Sequence, residues 1–296
     1  MSQSFQEVGQ LKGHSGGIYF LTHNEDSLVS GSGDGILASW DVESMKNLPR
    51  SVKVGEPIFS AWMDDALLLI GQDKGGIHVI DRKENKEIRH LKFHSKGVFD
   101  ISFNPLTEHF YSLGGGGSLA VFDREEFRLL IQIPVAETKM RTSLISPNGK
   151  YLLTGGSDGW IHCFETAYFN ELYALKAHDK GTYAMKWLED GTLITGGRDA
   201  HLRFWNFSDD GLKLESEIAA HNFAIYDIAV LPDGRFATVS RDKIVKLWNV
   251  NDLSNPVRLI SRGKTSHARS VNAVCWFNNT LATAGDDRLI KLWKLN

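Results

Sequence analysis

The chain has 296 residues, with 33 basic and 36 acidic side chains and a formal charge of −3. That near-balance gives no strong basic field, so nucleic acid is not expected as a direct ligand. Apolar residues at 42% and charged residues at 23% exclude a disordered chain.

In chain order, the opening Met1-Ser2-Gln3-Ser4-Phe5-Gln6 lacks the charged-then-apolar pattern of a signal peptide. No later apolar run reaches the ~20 residues of a membrane helix. A cytoplasmic protein without a membrane partner is expected. Phe5 to Leu11 reads as a strand. From there the chain repeats: a β-rich run, a turn with Gly or Ser before Asp, and a second alternating run that ends on an aromatic mark. The marks are Trp40-Asp41, Ile80-Asp81, Phe122-Asp123, Phe164-Glu165, Trp205-Asn206, Trp248-Asn249 and Trp293-Lys294. Subtracting neighbouring positions gives steps of 40, 42, 42, 41, 43 and 45 residues. Runs such as Ile244-Val245-Lys246-Leu247-Trp248 alternate with the period of two that strands require. Cys163 and Cys275 sit in such runs, far apart, and read as buried structural thiols.

With Gly13-His14 near the start of the first unit and Trp40-Asp41 at its end, the chain resembles the WD-repeat β-propeller family. The resemblance covers nearly all of the sequence in seven copies. It implies an all-β fold: a seven-bladed β-propeller of four-stranded antiparallel blades in one domain, 1–296. The blade-ending marks fall near 41, 81, 123, 165, 206, 249 and 294. The N-terminal strand would close the ring beside Leu289–Leu295 and so cover an open edge.

The resemblance also implies a buried relay of His, hydroxyl, Asp and Trp. Four blades carry all four members: His14/Ser30/Asp34/Trp40, His178/Thr195/Asp199/Trp205, His221/Thr238/Asp242/Trp248 and His267/Thr283/Asp287/Trp293. Recurrence at one spacing marks these as scaffold rather than as a catalytic Ser/His/Asp set. Blades two to four depart from the pattern. Blade three keeps His94 and Ser112 but has Gly114–Gly117 at the turn, and blade four keeps Thr154 and Asp158 without a His. Blade two has neither His nor Trp, and its Asp73 falls one place off register against Ile80. These blades are expected to form but to be less rigid, their Phe and Ile marks packing as plain core.

In the family, the residue after the first apolar position of each inner strand points toward the central opening. Alignment places Tyr19, Phe59, Phe99, Arg141, Tyr183, Tyr226 and Asn272 there. Five of the seven are aromatic, in a chain only 10% aromatic. They either pack the mouth or grip a peptide, for which rings are good anchors. A second top-face position, before the turn Asp, takes Gly33, Gln72, Gly115, Ser157, Arg198, Arg241 and Asp286. Arg141, Arg198 and Arg241 form a candidate basic sector for a carboxylate or phosphate; the alternative is that each pairs with a neighbouring acid such as Asp199 or Asp242.

Other motifs fail on the residues. No Arg stands two places after Trp40-Asp41, as adaptor-docking propellers require. His78, His162 and His201 show no metal spacing and read as solvent-facing strand residues, so neither metal nor cofactor is expected. Segments 44–52 and 262–269 read as variable polar links between blades. The reading is a non-enzymatic scaffold that binds a protein or peptide on its top face. The alternatives are an RNA- or assembly-associated subunit, or a small-ligand or catalytic propeller using the mouth. The last needs convergent acids that the seven mouth positions do not provide.

Overall fold

A computed structural model describes residues 5–261 and 265–295. The first four residues and positions 262–264 of the second link lie outside the described residues. All regular structure among the described residues is strand. The chain forms two compact units, one made of the segments up to Ile58 and from His221 onward, the other of Phe59–Ala220.

In chain order β1 is Phe5–Leu11; blade one is β2 Ile18–His23, β3 Leu28–Ser32, β4 Ile36–Asp41, β5 Lys46–Asn47 and β6 Val52–Lys53. Blade two is β7 Ile58–Met63, β8 Leu67–Gln72, β9 Ile77–Asp81 and β10 Lys86–Leu91. Blade three is β11 Val98–Asn104, β12 His109–Gly114, β13 Ser118–Asp123 and β14 Leu129–Pro134. Blade four is β15 Met140–Ile145, β16 Tyr151–Gly156, β17 Trp160–Glu165 and β18 Glu171–Lys176. Blade five is β19 Thr182–Trp187, β20 Leu193–Gly197, β21 His201–Ser208 and β22 Gly211–Ala219. Blade six is β23 Ile225–Val230, β24 Arg235–Ser240, β25 Val245–Asn249 and β26 Asp252–Leu259; β27 Val271–Phe277, β28 Thr280–Gly285 and β29 Ile290–Leu295 begin blade seven.

Each blade is an antiparallel sheet, and the fold class is the seven-bladed β-propeller. Blades six, seven and one fall in the first unit and blades two to five in the second. β1 pairs antiparallel with β29, Phe5 opposite Leu295 and Leu11 opposite Ile290. The N-terminal strand is therefore the outer strand of the last blade.

Segment 44–52 is not a free link. β5 and β6 both pair with β4, so this stretch is the outer strand of blade one, broken around Pro49, which has no N–H to give a ladder. The described part of the second link is also constrained: Ser266 is fully buried, and its Oγ accepts from the Val245 N–H at 2.7 Å.

The hydrophobic core lies between successive blades within each unit. Leu69, Ile77 and Val79 of blade two pack with Val98, Phe110 and Phe122 of blade three. Leu153 and Cys163 of blade four pack with Met185 and Trp205 of blade five. The marks without an indole, Ile80, Phe122 and Phe164, are all buried, and both cysteines are free and buried.

The four complete relays share one geometry. In blade one, Trp40 Nε1 donates to Ser30 Oγ at 2.8 Å, Ser30 Oγ lies 2.8 Å from His14 Nε2, and His14 Nδ1 lies 3.0 Å from Asp34 Oδ2. Thr195, Thr238 and Thr283 take the hydroxyl place with the same partners. The direction of every proton follows from the indole, which can only donate. The hydroxyl that accepts from it gives its own hydrogen to His Nε2, so Nδ1–H faces the carboxylate. Burial pushes Asp34, Asp242 and Asp287 upward, but their hydrogen bonds hold all three below the ordinary carboxylate range. In blade five Arg203 Nη1 adds a bond of 2.8 Å to Asp199, which lies lower still.

The incomplete blades resolve differently. In blade three, Ser118 Oγ replaces the carboxylate at 3.1 Å from His94 Nδ1, and Ser112 Oγ lies 2.9 Å from Nε2. In blade four, Thr154 Oγ1 is buried without a partner, so losing the His left one polar group stranded. Blade two corrects a register. The turn bond runs from Gly75 N to Gln72 O, as it runs from Gly35 N to Ser32 O in blade one. Gln72 is therefore the buried last residue of β8 rather than a top-face residue. Asp73 holds the place of Gly33, and Lys74 holds the place of Asp34.

Counted the same way, Gly116 stands where the relay Asp belongs in blade three. A Cβ there meets only Ser95 Oγ at 3.5 Å, and its φ is not in the left-handed region. Its neighbour Gly117 has φ +87°, and a Cβ there would lie 1.7 Å from Ala136 O. Gly116→Asp is expected to restore the carboxylate beside His94 and to stabilise the fold by about 1 kcal/mol. Gly117→Asp should destabilise it. Urea melts of the two variants check the pair.

Candidate functional site

The inner strands β2, β11, β15, β19, β23 and β27 all slip register at one place. The breaks fall between Ile18 and Phe20, Val98 and Asp100, Met140 and Thr142, Thr182 and Ala184, Ile225 and Asp227, and Val271 and Ala273. The extra residue is Tyr19, Phe99, Arg141, Tyr183, Tyr226 or Asn272. Each is a candidate mouth position. A β-bulge leaves its extra residue unpaired and re-aims its side chain. The backbone closes each bulge in the same way: the amides of Gly33, Gly115, Ser157, Arg198, Arg241 and Asp286 donate to carbonyls two residues before the bulge. In these six blades the two candidate positions are thus one structural device, bulge and turn.

Tyr19 is 38% exposed, and the other six candidate residues, Phe59 included, are half-buried. In the second unit four of them form a continuous run. Phe59 and Phe99 stack at 4.9 Å and 14°. The Arg141 guanidinium lies between two rings, its Cζ 4.5 Å from the Phe99 centroid and 5.3 Å from that of Tyr183. Lys139 Nζ approaches Phe99 at 5.5 Å, and Arg141 Nε donates to Ser157 Oγ at 3.3 Å. The rings expected to receive a partner's cation already hold two from this chain. Each such contact contributes ~0.5–2 kcal/mol.

In the first unit the Asn272 side-chain amide donates to Ile18 O at 3.0 Å and to Asp286 Oδ1 at 2.7 Å, tying blade seven to blade one. Tyr19 packs over the turn of its own blade, where a Cβ on Gly33 would lie 3.2 Å from its hydroxyl.

The acids named as partners for Arg198 and Arg241 are engaged elsewhere. Asp199 serves His178 and Arg203, and Asp242 serves His221. Arg198 and Arg241 are exposed and make no ion pair among the described residues; Arg241 Cζ instead lies 5.9 Å over the Phe223 ring.

Two acids just past the bulges escaped the sequence reading. Asp100 Oδ2 accepts from Ser143 N and Oγ of the next blade, and Asp227 Oδ2 accepts from Val274 N at 3.0 Å. These bonds tie one inner strand to the next beside the bulges at Phe99 and Tyr226. Burial pushes the Asp100 carboxyl above its usual range.

Two of the three strand histidines depart from the expected exposure. His78 and His162 are not solvent-facing: each side chain is 12% exposed and pairs through Nδ1 with a glutamate, Glu87 at 2.9 Å and Glu171 at 2.7 Å. No described helix is long and apolar enough to cross a membrane.

The family profile "WD domain, G-beta repeat" matches residues 5–41, 138–165, 169–206, 212–249 and 260–294, more than half of the chain. The unmatched stretch holds blades two and three, which lack a relay carboxylate. The chain is similar to WD repeat-containing protein 55 of Pongo abelii, 27% identical over 193 residues, 63% of this chain and 49% of that protein. It is similar to eukaryotic translation initiation factor 3 subunit I of Caenorhabditis elegans, 24% identical over 204 residues, 60% of this chain and 62% of that one. Actin-interacting protein 1 of Drosophila melanogaster is 24% identical over 190 residues, 60% of this chain and 31% of its own length. The chain spans about half the length of the first of these relatives and a third of the last.

Proposed function

This chain belongs to the WD-repeat family, and from that premise we propose that it is a non-enzymatic scaffold whose bulge-and-turn surface binds a protein or peptide partner. The observation that carries the reading is the bulge repeated in six blades, which takes mostly aromatic side chains out of the ladder and leaves them half-buried at the blade ends. Rings held in that state cost little conformational entropy to immobilise, and Tyr and Arg are the residues most enriched where binding energy concentrates. Among the candidate residues Tyr19, Phe59, Phe99, Arg141, Tyr183, Tyr226, Asn272, Arg198 and Arg241 there is no carboxylate pair and no nucleophile with a base, which favours recognition over chemistry. Arg141, its guanidinium close to both Phe99 and Tyr183, favours a partner segment that brings a carboxylate beside an apolar side chain. Two relatives are named as a subunit of a translation factor and as an actin-interacting protein, in keeping with such a role.

The test is affinity capture from cells with the chain as bait, comparing wild type with Tyr19→Ala/Tyr183→Ala and with Arg141→Ala. Each variant is expected to lose the specific partner, by roughly tenfold or more in affinity, with little change in melting temperature. Retained capture with a lowered melting temperature would make the rings packing elements. Affinity that falls steeply and log-linearly with salt would instead indicate nucleic acid.

A further inference from the structure

Blade two has no relay, yet its outer hairpin carries a constellation that no other described blade carries. Strands β9 and β10 pair with His78 directly opposite His90. The two imidazoles stack at 4.4 Å and 9°. Glu87 lies three residues before His90, and on a regular strand the two would point to opposite faces. The ladder slips between Glu87 and Arg89, with Glu87 opposite Ile80 and His90 opposite His78. That bulge brings Glu87 and His90 to the face of His78.

Ligand atoms of His78, Glu87 and His90 all lie within 4.8 Å of one another. His78 Nε2 is buried without a hydrogen-bond partner, and so is Gln72 Oε1 on the adjoining strand. Gly76 makes the space: a Cβ there would lie 2.4 Å from His90 Nε2 and 2.6 Å from Gln72 Nε2.

Blade four supplies the internal control. His162 and Glu171 repeat the His78–Glu87 pair at the same nine-residue separation, but Ala174 stands opposite His162. The His–Glu pair alone is therefore a recurring ion pair of this hairpin, and what sets blade two apart is the second imidazole and the orphaned nitrogen.

We propose that His78, Glu87 and His90 form a site for a divalent transition metal, Zn²⁺ in the first instance, that clamps strand β10 onto β9. Two imidazoles and a carboxylate are the donor set that suits Zn²⁺ and not Mg²⁺ or Ca²⁺. Tetrahedral zinc needs donor atoms about 3.3 Å apart, so the cluster must contract and the parallel rings must tilt. Glu87 and His90 are exposed and can turn without disturbing the core. The clamp would hold the outer strand of a blade that lacks the His–hydroxyl–Trp tie.

The test is titration of the metal-free full chain with ZnCl₂, read by calorimetry and by melting temperature, with EDTA as the reversal. Wild type should bind one zinc and melt several degrees higher with saturating metal, since a ligand of the folded state alone stabilises it. His90→Ala should weaken binding by roughly tenfold or more and lose the shift, while His162→Ala keeps both. Because His90 is exposed, its variant should fold, and its metal-free melting temperature is the check. No saturable binding by wild type, or binding and a shift that survive in His90→Ala, would overturn the proposal.

Discussion

Thr195→Val should destabilise the fold, while Thr154→Val, the same substitution at the same position in an adjacent blade of one unit, should not. Thr195 Oγ1 accepts from Trp205 Nε1 at 3.0 Å and lies 2.8 Å from His178 Nε2, and all three residues are buried. Valine preserves the shape but leaves an indole N–H and an imidazole nitrogen without partners in the core. Each stranded group costs about 1–3 kcal/mol, and the added methyl returns only part of that, so a loss of about 3 kcal/mol is expected. Thr154 Oγ1 has no partner to lose. Replacing it removes a buried unsatisfied hydroxyl, and Thr154→Val should be neutral or stabilise by about 1 kcal/mol. Urea denaturation with unchanged slope measures both. Equal losses at the two sites would mean that the relay bonds contribute nothing beyond packing.

This contrast shows what the sequence could and could not reveal. The blade-ending tryptophans were legible because a buried indole needs an acceptor, so Trp and its hydroxyl partner recur together at one spacing. Asp73 misled the eye for the converse reason: an acid near a turn resembles a relay member, whereas counting back from Ile80 puts Lys74 in that place and Gln72 at the end of the strand. Alignment picks out the seven candidate positions, but not the bulge that six of them occupy. Its signal was present in the spacing of apolar residues. Val98 and Ile101, and Ile225 and Ile228, are buried three apart, an interval that an unbroken strand cannot place on one face. The interblade roles of Asp100 and Asp227 depend on which backbone amides the next blade presents, and no local pattern encodes that. The paired glutamates of His78 and His162 were missed because a cross-strand partner nine residues away becomes visible only once the hairpin register is known.

Acidification should remove stability from the chain in two stages, with His94 prominent in the first. Burial lowers the His94 pKa from 6.5 to about 4, and its nearest partners are the hydroxyls of Ser112 and Ser118. A folded-state pKa below the unfolded one means that the unfolded chain takes up the proton first. Stability present above pH 6.5 is therefore lost as the pH falls toward 4, by about 3 kcal/mol for this group. His178 and His221 are lowered as well, burial again outweighing their carboxylates, and add to the slope in the same direction. Asp34, Asp199, Asp242 and Asp287 act later. Their folded pKa values lie below the ordinary 3.8, so the stability they supply is complete above that value and disappears only as the pH falls through the folded values. His94→Gln isolates the first stage: it should be less stable than wild type at pH 7.5, and the difference should shrink by about 3 kcal/mol by pH 4. Gly116→Asp should flatten the same window from the other side, by giving the imidazolium a carboxylate and raising its folded pKa. Parallel stability curves for wild type and His94→Gln would show that His94 takes up its proton equally in the folded and unfolded chain, so that burial does not lower its pKa.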